Sequence, residues 1–207
     1  SGRDVDVPLS DLGREQVRAL GHWFATDATR PTVILSSPYV RAQQTAQLFR
    51  EHGGCASDLP ICIDERLREK EFGILDGLTT SGVAAVFPDQ AEFRRLLGKF
   101  YHRPPGGESW ADVILRLRSL LDTVSLHHAG EHVMIVAHQV VVLCLRYILE
   151  GMDEAGILAI DKQADVANCS VTEYRLNPTH GASGKLMLVR YNERAPMEME
   201  GTEVTSA

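Results

Sequence analysis

Short apolar and β-branched runs alternate with longer amphipathic segments along this chain. The compact runs predict strands at residues 32–35, 60–63, 133–137, 171–174 and 186–189, and the apolar run at 133–137 predicts a buried one. Segments with apolar residues at helical spacing predict helices at residues 15–24, 40–51, 108–126 and 140–150. Because strands and helices alternate, we expect an α/β fold, with three α/β/α layers around a mostly parallel central sheet.

The same pattern defines the domain organisation. Residues 1–195 predict a single domain, and a helix cap at Ser10 marks its first helix. Glycines punctuate residues 67–80, which we expect to form a loop, whereas residues 81–102 have a mixed helical pattern. Residues 196–207 carry no periodic pattern and predict a disordered tail.

Composition and charge restrict the function classes. Hydrophobic residues make up 44% of the chain and charged residues 24%, which is ordinary globular composition. The net charge of −7 predicts no nucleic-acid or membrane partner. The four cysteines form no CxxC pair, and the chain starts without an apolar leader-like run. We therefore expect a cytoplasmic protein that uses no metal and no cofactor.

His138 is the first candidate for chemistry, because it follows an apolar strand and opens a helix. Ligands of open α/β sheets bind at the carboxyl ends of strands, and the N–H groups of a helix start favour anions. The alternative is a core histidine bonded to a backbone carbonyl, and spacing alone favours this structural role.

Arg41 and Glu69 are the other candidates. Arg41 lies just past a predicted strand, and its guanidinium group could hold two phosphate oxygens. Glu69 could protonate a leaving oxygen if its pKa is raised. Considered separately, each is also compatible with an ordinary solvated side chain.

Five ordered sequence blocks connect these candidates: GRDVDVPLSDLG at 2–13, SSPYVRAQQTA at 36–46, LREKEFGILDGLT at 67–79, PPGGESW at 104–110 and VMIVAH at 133–138. Together they resemble the histidine phosphatase superfamily, the phosphoglycerate mutase-like phosphatases. The PPGGES block and the His138-Gln139 pair are most similar to fructose-2,6-bisphosphatase-like members.

The resemblance implies specific roles. Arg41 would bind the phosphoryl group, Glu69 would be the general acid, and His138 would hydrogen-bond the phosphoryl group during transfer. It also implies three substrate-binding residues: Arg95, Lys99 and Gln139. Leu143 and Trp110 depart from the sugar-bisphosphatase pattern, so the exact substrate stays open.

The implied activity is a phosphomonoesterase that acts on a small phosphorylated metabolite, a sugar phosphate or bisphosphate, through a phosphohistidine. The family's nucleophilic histidine belongs to an Arg-His-Gly block, which the 207 residues do not contain. We expect that block upstream of Ser1, and we expect this chain alone to be inactive and to lack the central first strand. The alternatives are an inactive phosphate-binding module and a phosphoglycerate mutase. A homodimer is also compatible with the resemblance.

Overall fold

The computed structural model describes residues 3–26, 30–180 and 184–206. Its helices within these ranges are α1 (Asp11–Thr26), α2 (Val40–His52), α3 (Thr80–Val86), α4 (Pro88–Tyr101), α5 (Trp110–His127), α6 (Gln139–Glu150), α7 (Glu154–Gln163) and α8 (Ala195–Glu200). Its strands are β1 (Val33–Ser36), β2 (Ile61–Ile63), β3 (Val133–Val136), β4 (Val171–Asn177) and β5 (Lys185–Glu193).

The first three strands form a parallel sheet in the order β2-β1-β3. In this sheet Ile34 of the middle strand lies opposite Ile61 on one side and Met134 on the other. Parallel strands need long crossover connections, and helices supply them between β1, β2 and β3. The predicted α/β architecture with a parallel sheet is confirmed.

Alternate residues of β1 supply two separate hydrophobic cores. Val33 and Leu35 pack into the core that includes buried residues of α5, α6 and α7. Ile34 faces the opposite core, which α1 and α2 complete. Because all of β1 is buried, this strand is the middle layer between two helical layers.

Within the described residues, the two late strands, β4 and β5, do not pair with the strands of the parallel sheet. β4 and β5 form a separate antiparallel pair. The connection over residues 178–184 is shorter than the dozen or more residues that a parallel crossover needs, so a hairpin results. Within the described residues, β3 pairs with β1 along one edge and with no strand along the other. Every residue of β3 is only half-buried, in contrast to β1.

Two helical regions differ from the sequence prediction. Residues 81–102 divide into α3 and α4 because Pro88 starts a new helix and restricts Phe87 before it. Gly98 adopts a φ of 75° and kinks α4 near its end. Helix α7 was not predicted, although Asp153 caps it by accepting a hydrogen bond from the Gly156 N–H at 2.7 Å.

The expectation of a disordered tail is wrong for residues 196–206. Met197 of α8 is completely buried, and α8 packs against α1. Gln16 of α1 donates to the Glu203 carbonyl at 2.8 Å and to Thr205 Oγ1 at 2.9 Å. The buried side chains of Met197 and Gln16 thus hold the C-terminal segment against the rest of the domain, although the sequence of that segment has no periodic pattern.

Replacing Met197 by alanine tests this docking of the C-terminal segment. Removal of a fully buried methionine side chain should lower the free energy of unfolding by about 2–5 kcal/mol. Urea denaturation followed by circular dichroism measures the change. Met199→Ala is the matched control, because Met199 lies on the same helix and is 74% exposed. Equal stability of the two variants would show that the tail is not docked.

Candidate active site

The candidate site lies where the neighbouring strands β1 and β3 end. The Ser37 N–H donates to the Val136 carbonyl at 2.9 Å, so the two strand ends are held side by side. A short turn then leads from β1 into α2, and His138 begins α6 after β3. Two helix starts therefore meet at one edge of the sheet, which is the usual ligand-binding edge of such folds.

His138 occupies the N-cap position of α6 without capping it through its side chain. Its Nε2 lies 2.8 Å from Ser37 Oγ, and its ring packs edge-on against Tyr39 at 4.7 Å between centroids. The structural alternative, a bond from His138 to a backbone carbonyl, is not what the geometry shows. The partner of this histidine is a side-chain hydroxyl on the neighbouring strand end.

The His138 ring is neutral in this arrangement. Burial, followed by the positive charge of Arg41, lowers the pKa of His138 to about 3, and Arg116 acts in the same direction. Asp4 opposes this shift. An uncharged imidazole can donate one hydrogen bond and accept another, so the position of its single proton decides what it offers a ligand.

Arg41 lies in the first turn of α2, and its guanidinium group is already engaged. It forms two parallel hydrogen bonds to the Asp4 carboxylate, each 3.0 Å long, and a third to the Asp4 carbonyl at 2.9 Å. Its guanidinium carbon also lies 4.6 Å from the centre of the Tyr39 ring. A carboxylate oxygen pair therefore sits where the resemblance would place two phosphate oxygens.

Glu69 approaches the start of α6 from a loop. Its Oε1 accepts from the Lys70 N–H at 2.7 Å, and its Oε2 accepts from the Val140 N–H at 3.4 Å. Burial raises the pKa of Glu69, although these two hydrogen bonds and the charges of Arg116 and Arg41 oppose the rise. Burial is the largest of these effects, so the pKa of Glu69 is raised overall.

The structure brings Arg41, Glu69 and His138 together. Tyr39 contacts both Arg41 and His138, and Glu69 bonds to the helix turn that His138 opens. Arg41 is close enough to lower the pKa of both other groups. Residues remote in sequence therefore converge at one end of the sheet, as the order of the motifs predicts.

The PPGGES block holds the Glu69 loop in place. Glu108 accepts from the Glu71 N–H at 3.1 Å and donates its own N–H to the Glu71 carbonyl at 2.9 Å. Arg116 pairs with Glu108 at 2.9 Å and donates to the Glu69 carbonyl at 3.4 Å. Gly73 approaches so closely that a Cβ there would lie 2.1 Å from the Pro105 carbonyl oxygen. The motif is thus a clamp for the acid-bearing loop.

Four residues of this site were missed by sequence reasoning: Asp4, Ser37, Tyr39 and Arg116. All lie in or beside the recognised blocks except Arg116, which follows the PPGGES block on α5. The only sequence signal for Ser37 and Tyr39 was their position between a strand and a helix. Arg116 had no signal, because an arginine on an amphipathic helix is normally solvated.

The proposed substrate residues are engaged elsewhere. Arg95 pairs with Glu92 on the exposed face of α4, and Lys99 pairs with Asp161 of α7 at 2.6 Å. Gln139 donates to Asp165 at 3.0 Å, while its Oε1 is buried and has no partner among the described residues. Their substrate-binding roles stay predictions.

A cavity of about 650 Å³ lies beside the Glu69 loop. The residues Arg68, Glu71 and Glu108 of the clamped region form one side, and Phe93 and Leu97 of α4 form another. This volume is sufficient for a small metabolite. Among the described residues, no group of three or more His, Cys, Asp or Glu side chains could hold a metal ion. None of the described helices has the length and apolar character needed to cross a membrane.

Several named proteins are similar to this chain in sequence or in structure. A 2,3-bisphosphoglycerate-dependent phosphoglycerate mutase from Methylobacterium radiotolerans is 30% identical over 185 residues, which are 88% of this chain and 84% of the relative. A 6-phosphofructo-2-kinase/fructose-2,6-bisphosphatase from Caenorhabditis elegans is 31% identical over 140 residues, which are 68% of this chain and 28% of that protein. The structure of a mycobacterial glucosyl-3-phosphoglycerate phosphatase matches with a TM-score of 0.73 at 28% identity, covering 92% of this chain and 90% of that chain.

A family-wide sequence comparison extends over the whole site. The sequence model of the histidine phosphatase superfamily, branch 1, matches residues 1–189. This range includes the parallel sheet, both helix starts and the Glu69 loop. The resemblance inferred from the five blocks is therefore confirmed, and the chain belongs to the histidine phosphatase superfamily.

Proposed function

We propose that this domain is the larger part of a phosphomonoesterase for small phosphorylated metabolites, and that a histidine N-terminal to Ser1 supplies its nucleophile. The observation that carries the proposal is the convergence of Arg41, Glu69 and His138 at the carboxyl ends of β1 and β3. β3 has an edge that pairs with no strand of the described residues, and a further strand there would complete the sheet.

The proposed reaction combines the upstream histidine with Arg41, Glu69 and His138. A nitrogen of the upstream histidine attacks phosphorus while the bond from phosphorus to the leaving oxygen breaks, and Glu69 gives its proton to that oxygen. In the second step the oxygen of water attacks phosphorus while the phosphorus–nitrogen bond of the phosphohistidine breaks; Glu69 takes a proton from the water, the histidine is regenerated and inorganic phosphate leaves. The raised pKa of Glu69 suits it to both transfers.

Arg41 and His138 would stabilise charge on the transferring group. The Arg41 guanidinium group can hold two phosphoryl oxygens after it releases Asp4, whose carboxylate occupies the same donors. The neutral His138 can donate one hydrogen bond to a third oxygen. Phosphoryl transfer depends mostly on such positioning and charge stabilisation, so this group of residues suits the reaction.

The cavity beside the Glu69 loop supports a small organic leaving group. Its walls combine the Phe93 and Leu97 side chains with Arg68 and Arg103, whose charges are paired with the acidic side chains of the same walls. Mixed apolar and polar walls suit a metabolite with a carbon skeleton and hydrogen-bonding groups. A sugar phosphate or bisphosphate has this chemistry.

A phosphoglycerate mutase is the second candidate, because the Methylobacterium radiotolerans relative carries that name. The two reactions share the first step and differ in the acceptor, which is water for a phosphatase and a second hydroxyl for a mutase. Release of inorganic phosphate from a sugar phosphate, without formation of an isomeric phosphate ester, would favour the phosphatase.

Activity of an N-terminally extended chain tests the position of the nucleophile. We expect a chain that includes the residues encoded upstream of Ser1 to hydrolyse p-nitrophenyl phosphate. The 207-residue chain should be slower by about 10⁴- to 10⁶-fold, since loss of one member of a catalytic set has this effect. The control is the extended chain with the histidine of its Arg-His-Gly block replaced by alanine, which should be equally slow. Equal turnover by the extended and the 207-residue chains would contradict the proposal, and phosphate binding without turnover by the extended chain would favour a binding module.

Glu69→Gln in the extended chain tests the general acid through the leaving group. Glutamine cannot give a proton, so hydrolysis of an alkyl phosphate should slow by about 10²- to 10⁴-fold. p-Nitrophenyl phosphate has a leaving group that needs little protonation and should be affected much less. For the alkyl substrate, wild-type activity should fall as pH rises through the raised pKa of Glu69. Glu65→Gln is the control, because Glu65 lies four residues away, is exposed and does not line the cavity. Similar losses with both substrates in Glu69→Gln would exclude the acid role.

Asp4→Asn tests whether Asp4 occupies the anion position on Arg41. Removal of the competing carboxylate charge should tighten the binding of inorganic phosphate to the 207-residue chain by about 5-fold, as expected for a partly exposed ion pair worth roughly 1 kcal/mol. Isothermal titration calorimetry measures the Kd. Asp6→Asn removes a nearby charge that pairs instead with Arg3 and should leave the Kd unchanged. Weaker phosphate binding by Asp4→Asn would show that Asp4 positions Arg41 rather than competing for it.

A further inference from the structure

Ser37 lies between the end of β1 and the start of α2, and its side chain is completely buried. Its Oγ has two partners within hydrogen-bond distance among the described residues. One is the Tyr39 backbone N–H at 3.3 Å, and the other is His138 Nε2 at 2.8 Å. These two contacts determine where the proton of the hydroxyl group lies.

A serine hydroxyl can donate once and accept twice. The Tyr39 N–H can only donate, so toward this group Ser37 Oγ is an acceptor. The hydroxyl proton must then point at His138 Nε2, since a buried hydroxyl with an unpaired proton would cost stability. A nitrogen that accepts this hydrogen bond cannot itself carry a proton.

We propose that Ser37 is a positioning residue that holds His138 in the tautomer with its proton on Nδ1. Nδ1 has no hydrogen-bond partner among the described residues, and it is not sealed within the protein. It is therefore the ring nitrogen that can donate to a ligand. This last step, donation to a phosphoryl oxygen, rests on the proposed function, whereas the tautomer itself does not.

The charges around the ring agree with a neutral tautomer. The positive charges of Arg41 and Arg116 disfavour a second proton on His138, and the negative charge of Asp4 favours it. A doubly protonated ring would donate from Nε2 to Ser37 Oγ and leave the Ser37 proton without an acceptor. Both the charges and the hydrogen bond thus favour a single proton on Nδ1.

The tautomer can be measured on the 207-residue chain without any activity. In long-range ¹H–¹⁵N spectra of ¹⁵N-histidine-labelled protein, we expect His138 to show a protonated Nδ1 and an unprotonated Nε2 at neutral pH. His138→Gln assigns the signals among the eight histidines. Detection of the proton on His138 Nε2 in the wild-type chain would overturn the proposal, and this readout does not depend on the Ser37 variants.

Variants of Ser37 test the cause. Ser37→Ala should move His138 to a mixture of tautomers or to the Nε2-protonated form, and Ser37→Thr, which keeps the hydroxyl, should restore the Nδ1 form. Ser36→Ala is the matched control, because Ser36 is equally buried but its Oγ bonds only to the Ser37 carbonyl. An unchanged His138 tautomer in a folded Ser37→Ala chain would also overturn the proposal.

In the extended enzyme, Ser37→Ala should lower kcat by roughly 10-fold with little change in KM, and Ser37→Thr should recover kcat. Partners that orient a functional histidine commonly have effects of this size. If the Ser37 variants change the tautomer and not kcat, the failure concerns the role of His138 in the proposed function. If the tautomer does not depend on Ser37, the failure concerns the inference itself.

Discussion

The parallel pairing of β1 with β3 is the constraint on which the candidate site depends. It aligns two strand ends, and the bond from the Ser37 N–H to the Val136 carbonyl extends that alignment one residue beyond β1. Ser37 and His138 are a hundred residues apart in sequence, yet this register places their side chains within 2.8 Å. The two helix starts, Tyr39 and the loop of Glu69 then assemble around the aligned ends. A shift of one residue in the pairing would turn alternate side chains to the opposite face and separate the group.

The strand pairing in this sheet also explains why β1 is more deeply buried than β3. β1 has a strand on each side and helices on both faces, and all of it is buried. Among residues 3–26, 30–180 and 184–206, β3 has a strand on one side only, and its residues are half-buried. Val171 of β4 and Met134 of β3 nevertheless contribute to the same core, so the hairpin lies near the sheet without pairing to it. An additional strand at the β3 edge would satisfy unpaired backbone groups and bring a side chain to the strand ends where Arg41 and His138 meet.

Local signals predicted most of the elements, whereas long-range contacts decided the rest. Periodicity was sufficient for α1, α2, α5 and α6, because each buries a regular pattern of apolar residues. The apolar runs also located the three parallel strands, although Cys62 and Ile63 of β2 are exposed. Periodicity failed for α8, where Met197 and the bond from Gln16 provide the order. The ordered blocks identified Arg41, Glu69 and His138, since each block has a fixed place in the family. They could not identify Asp4 or Arg116 as partners of these groups, because an ion pair between distant segments leaves no pattern in one sequence.

Asp4 and Arg116, whose positions only the structure reveals, change the pKa values of the candidate site residues through their charges. Two cations, Arg41 and Arg116, lie near His138 and Glu69, and they lower the pKa of both groups. Burial has opposite effects on the two, because it disfavours the charged form of each: it raises the pKa of the acid and lowers that of the histidine. The result is a histidine whose pKa is lowered and a carboxyl group whose pKa is raised, both at the start of α6. The Arg41 guanidinium group is the cation that an anion at this end of the sheet would meet, and the Asp4 carboxylate competes with such an anion for the same donors.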